Sequence, residues 1–137
     1  MKSLLVNIDV PELQLAVAFY VDGLGFRFVR FLTEEIAELC FSGITVYLLE
    51  KPEGSCASST GGIHRSYGRH WTPVHLDVVG DNIEQMMETA VRSGAKVDQP
   101  VISHPWGKLA VLSDPFGNGF CLIEFIGRGY EELTAGK

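Results

Sequence analysis

Apolar and polar positions alternate through the first residues of the chain, so Leu4 to Val10 predicts a β-strand with one buried face. Pro11 and Glu12 then open a helix whose apolar stripe is Leu13, Ala16, Val17 and Tyr20. Gly23 and Gly25 are its stop signals. From Gly25 to Phe31 apolar residues alternate with basic ones, again as in a half-buried strand. Glu38 to Phe41 and Ile44 to Leu49 predict two further strands, with Ser42-Gly43 as the tight turn between them. The order is β-α-β-β-β.

The second half repeats the pattern. Val74 to Val79 predicts a strand, and Asp81 is the expected cap of a helix with Ile83, Met86, Met87 and Ala90 on one face. That helix stops at Ser93-Gly94, and Val97 to Ser103, Lys108 to Ser113 and Gly119 to Phe125 predict the last three strands. Leu13 corresponds to Ile83, and Gly25 to Gly94, at offsets of about 70 residues. The expected class is α+β, with two half-modules at 4–50 and 73–127 in one domain over 4–127, a linker at 51–72 and a tail at 128–137. A helix covers only one face of a four-stranded sheet. The two open faces are therefore expected to curl around a common cavity.

Two strings carry a further resemblance. Asp114-Pro115-Phe116-Gly117-Asn118 reads as a turn, with Gly117-Asn118 at the positive-φ positions, leading into Phe120-Cys121-Leu122-Ile123. Upstream, Phe19-Tyr20-Val21-Asp22-Gly23-Leu24-Gly25-Phe26 closes the first helix. Together they resemble the vicinal oxygen chelate superfamily of glyoxalases, bleomycin-resistance proteins and extradiol dioxygenases. The resemblance implies paired β-α-β-β-β modules forming an open, cavity-lining barrel, often completed across a homodimer. It also implies, for metal-dependent members, one divalent ion held by the first and last strand of each module. Carried onto this chain, those four positions are Leu5, Tyr47, His75 and Cys121. Leu5 has no donor atom, Tyr47 would have to ionise, and Cys121 replaces an expected Glu. Only His75 is an orthodox ligand. Asn7, Asp9 and Asp77 share the inward parity, whereas Glu50 and Glu124 miss it by one residue.

Bulk properties narrow the function. The 137 residues are 46% hydrophobic with a formal net charge of −6, which argues against sequence-independent nucleic-acid binding. No apolar run is long enough to span a bilayer, and Asn7 and Asp9 interrupt the only candidate leader. Cys40 and Cys121 fall in strand-like runs and read as buried free thiols of a reducing compartment, so a cytoplasmic location is expected. There is no glycine-rich phosphate loop and no nucleophile turn. The linker carries His64, Arg65, Tyr67, Arg69 and His70, and it reads either as a solvated connection or as a flap over the cavity that brings Arg65 or Arg69 to an anionic ligand. His104-Pro105-Trp106-Gly107 reads as a turn between strands.

The expectation from sequence is a homodimeric protein that binds a small molecule without a metal cofactor. Its lining would be Asn7, Asp9, Tyr47, His75, Asp77, Trp106 and Cys121, and Trp106 would offer contact area. The alternative is a lyase, isomerase or dioxygenase resembling glyoxalase I, with one divalent metal ion and His75 as its first ligand. A blander third reading is a degenerate module that only contacts another protein.

Overall fold

The structure, a computed structural model, describes residues 1–70 and 72–134. The chain divides into two units, Met1–Gly68 and Arg69–Lys137. Trp71 of the linker and 135–137 of the tail lie outside the described residues.

In the first unit the order is β1 (Leu5–Val10), α1 (Leu13–Ala18), a π-helical turn (Phe19–Gly23), β2 (Arg27–Thr33), β3 (Ile36–Phe41) and β4 (Ile44–Glu50). The sheet order is β1-β4-β3-β2, with β1 parallel to β4 and the other pairs antiparallel. A parallel neighbour is what a helical crossover permits. Val10, Leu13, Ala16, Phe19, Leu39, Val46 and Leu48 are buried and form the core on the helix side. Leu5, Asn7 and Tyr47 have the opposite parity and face away from it, with Asn7 directly opposite Tyr47.

The second unit repeats the plan with β5 (Leu76–Val79), α2 (Ile83–Arg92), β6 (Lys96–His104), β7 (Gly107–Ser113) and β8 (Gly119–Phe125), followed by a 3-10 helix (Gly129–Thr134). Its order is β5-β8-β7-β6, with β5 parallel to β8. Ile83 and Ala90 of α2 are buried with Val78, Ala110, Leu112 and Leu122 of the sheet. Tyr130 of the tail docks on Trp106 and Phe125, at ring-centroid distances of 4.9 and 4.8 Å.

The expected open, cavity-lining barrel is not what forms. The two sheets are separate and four-stranded, and neither is closed into a barrel or strongly curled. Closure requires strands at opposite edges to pair with a stagger. Here the helical crossover leaves β1 and β2 at opposite edges of one sheet, and β5 and β6 at opposite edges of the other. The β-α-β-β-β order of each half is as expected; the barrel built from it is not.

Local chemistry accounts for smaller differences. Asn82, not Asp81, caps α2, because its side chain accepts from Gln85 N at 3.1 Å. Strand β5 begins at Leu76, so His75 stands just before it. Of the two turn residues expected at positive φ, Gly117 has φ 89° and Asn118 does not adopt one. Asn118 instead donates through its backbone and side chain to Asp114, at 2.9 and 3.0 Å. The Asp114 carboxylate also accepts from Phe116 N at 2.8 Å, which is why a residue only 1% exposed is a carboxylate.

Candidate metal centre

The last residue before β5 and the first outward residue within it point the same way. His75 and Asp77 are two positions apart, and Asp77 lies directly opposite Cys121 of the parallel strand β8. One ring nitrogen of His75, one carboxylate oxygen of Asp77 and Sγ of Cys121 all lie within 4.8 Å of one another. His75 and Asp77 are exposed and Cys121 is buried.

Asp77 is the hub. Its Oδ1 lies 3.0 Å from Nδ1 of His75. Its carboxylate also faces the Cys121 thiol, the ligand atoms lying within 4.8 Å. Burial first, then the charge and hydrogen bond of Asp77, push that thiol up to about 11, against a smaller lowering by Arg69. With no cation bound, Cys121 is therefore a neutral thiol beside a carboxylate.

The donor set fits a borderline divalent cation. Imidazole nitrogen, carboxylate oxygen and thiolate sulfur are the three ligand types zinc accepts, and three protein ligands leave one position for water or substrate. The sequence puts all three residues in a binding-site lining but makes only His75 an orthodox ligand. Pairing of β5 with β8 is what sets Asp77 directly opposite Cys121 and beside His75.

Among the described residues the first unit has no equivalent centre. In the repeat, Leu5, Asn7 and Tyr47 stand where His75, Asp77 and Cys121 stand in the second unit. Asp9 is engaged by the linker, where Arg65 Nε donates to its Oδ2 at 2.8 Å. The linker is ordered around that contact. Cys56 and His64 form an isolated β-bridge, Arg65 Nη1 donates to Cys56 O at 2.6 Å, and Tyr67 Oη donates to Lys51 O at 2.8 Å. Burial, then the Asp9 carboxylate, raise the Tyr67 phenol above its ordinary range.

Trp106 is at the turn between β6 and β7, stacked on His104 with centroids 4.9 Å apart and planes 1° apart. Its partners are His104, Phe125 and Tyr130, so it packs the end of the sheet that carries the tail.

Sequence reasoning missed what the two strand-end glutamates do. Glu50 accepts from Leu13 N at 2.8 Å and Glu124 accepts from Ile83 N at 2.9 Å. Each carboxylate satisfies an otherwise free donor at the start of its own module's helix. Their parity, one residue off that of Asn7 and Asp77, is the legible sign that they face the helix.

Residues 5–123 match the family described as glyoxalase-like domain. No curated protein matches the chain. Similar solved structures include the fosfomycin resistance protein FosX from Listeria monocytogenes, with TM-score 0.70, 15% identity and coverage of 96% of this chain and 97% of that one. A glyoxalase-related enzyme from Fulvimarina pelagi gives TM-score 0.70 and 18% identity over 93% of this chain and 94% of that one. TioX from Micromonospora sp. ML1 gives 0.68 and 18% over 92% and 100%. At these identities the likeness is one of fold. No helix of the described residues is long and apolar enough to cross a membrane.

Proposed function

The chain belongs to the glyoxalase-like domain family, and from that premise we propose a metal-dependent enzyme acting on a small oxygenated molecule, centred on His75, Asp77 and Cys121. The observation that supports this reading is the convergence of three different donor types within 4.8 Å on one sheet face. The donor set favours a lyase or isomerase over a dioxygenase, because one imidazole, one carboxylate and one thiolate depart from the two-histidine, one-carboxylate set of non-haem iron oxygenases.

A zinc-class cation would supply Lewis-acid polarisation of a substrate oxygen. The chain's own residues do the rest. His75 and Asp77, exposed at the start of β5, give access from solvent. Cys121 is held in the sheet centre by β5 and β7, which fixes its direction. Its thiol must release a proton to solvent to become a ligand, while Asp77 stays an ionised carboxylate.

Reconstitution with cobalt(II) tests this reading. A thiolate-to-cobalt charge-transfer absorption is expected in the wild type and absent in Cys121→Ser. No such band in the wild type would contradict Cys121 as a ligand.

One observation favours the metal-free binding protein as a second reading. Asp77 already pairs with His75 at 3.0 Å and the Cys121 thiol is held neutral beside it, an arrangement that stands without a cation. Cobalt uptake separates the two.

We also propose a homodimer. Strand β2 is exposed along its whole length and bears Phe28, Val29, Phe31 and Leu32, each at least 36% exposed. An apolar edge of this kind is normally covered. Light scattering at micromolar concentration that gives a monomer mass would remove the proposal.

A further inference from the structure

Arg69 stands on the same sheet face as the cluster. Its Nε donates to Asp98 Oδ2 at 2.6 Å, and its Nη1 donates to His70 O and, at 3.4 Å, to Gly117 O. Those bonds fix the plane of the guanidinium. They leave Nη2 with no hydrogen-bond partner among the described residues. The position of Nη2 is set by a glycine. A Cβ at residue 119 would lie 2.8 Å from Nη2 and 3.0 Å from Nη1, so the guanidinium occupies the space a side chain would fill. Gly119 and Cys121 are two apart on β8, so that space opens on the same face as the Cys121 sulfur. Successive same-face positions of a strand are about 6.5 Å apart.

We propose that Arg69, seated over Gly119, is the site's anion anchor, and that the substrate carries a carboxylate one or two bonds from the oxygen that meets His75, Asp77 and Cys121. The chemical class is an α-oxo or α-hydroxy acid. This rests on the metal reading above. The free Nη2 presents its N–H donors in a plane that the other bonds fix, and charge-assisted bonds of this kind to a carboxylate are about twice as strong as neutral ones. Asp98 offsets the charge of Arg69, so recognition depends on directed donors more than on net charge. Arg65, the other candidate in the linker, belongs to the first unit and is bonded to Asp9. Gly119 is then a specificity determinant although it contacts no ligand, because any side chain there displaces the guanidinium. Its backbone is not left-handed, so Gly119→Ala is compatible with the fold and moves only the flexible end of Arg69.

The test is calorimetric titration of the zinc-loaded protein with oxalate, with zinc content measured for every variant. Arg69→Ala and Gly119→Ala are expected to keep their zinc and to bind oxalate at least about tenfold more weakly than wild type. Asp98→Asn retains an acceptor for Nε, removes the offsetting charge and is expected to bind more tightly, which a merely structural role for Arg69 would not produce. Equal oxalate affinity in wild type and zinc-replete Arg69→Ala overturns the inference and leaves the metal reading standing. A wild type that takes up no zinc overturns the metal reading. An absence of any oxalate binding by the wild type overturns the anchor.

Discussion

The Glu124 carboxylate accepts the Ile83 backbone N–H at 2.9 Å, tying the end of β8 to the first turn of α2. Glu50 does the same for Leu13 at 2.8 Å in the other module. The repeat therefore extends beyond element order to a shared capping device. It also explains why carboxylates so near the expected ligand positions are not ligands. Glu124→Ala is expected to cost about 1 kcal/mol in urea denaturation, as lost helix caps do, with zinc uptake unchanged. Loss of zinc in this variant would mean that Glu124 reaches the outer face.

Asp114 is expected to be a larger contributor to stability. It is 1% exposed and accepts three hydrogen bonds within its own turn. Asp114→Ala leaves those donors unsatisfied in the interior, at a cost of about 3 kcal/mol. Chemical denaturation measures it, and a loss below about 1 kcal/mol would show that the turn is held by other contacts.

The pH dependence of the metal-free protein follows from Cys121. Its thiol sits at about 11, above the ordinary value of 9.0. A group raised on folding contributes stability that is whole below its unfolded value and is lost as pH climbs to its folded one. Stability is thus expected to decline between about pH 9 and 11, and Cys121→Ala should flatten that part of the curve. An unchanged slope in the variant would place the titration elsewhere.

The linker contact predicts a local effect. Arg65 and Asp9 are both partly exposed, so their ion pair adds little to global stability. Arg65→Ala is expected to leave the melting temperature within about two degrees of wild type while limited proteolysis between residues 51 and 68 accelerates. Unchanged cleavage would mean that the β-bridge between Cys56 and His64 alone holds the segment.

Much of this architecture is legible in the sequence, and the reasons are local. Period-two alternation and glycine stops give both modules, and β8 begins and ends where its apolar run predicts. Residue parity correctly puts Asn7, Asp77 and Cys121 on one kind of face and Glu50 and Glu124 on the other. What fails is long-range. Whether a sheet closes depends on edge pairing between strands distant in sequence, and the expected barrel does not form. The resemblance puts His75 and Cys121 in one ring of positions, but that Asp77 joins them as a third donor depends on the register of β5 against β8. The cap at Asn82 rather than Asp81 is a one-residue choice between two good capping side chains.

The central claim is that His75, Asp77 and Cys121 hold one divalent cation, and elemental analysis tests it most directly. Protein purified without a metal-affinity tag, saturated with zinc and desalted should retain about one equivalent per chain. His75→Ala and Cys121→Ala should each lose it. Wild-type protein that retains none, or a His75→Ala variant that retains as much as wild type, would contradict the account.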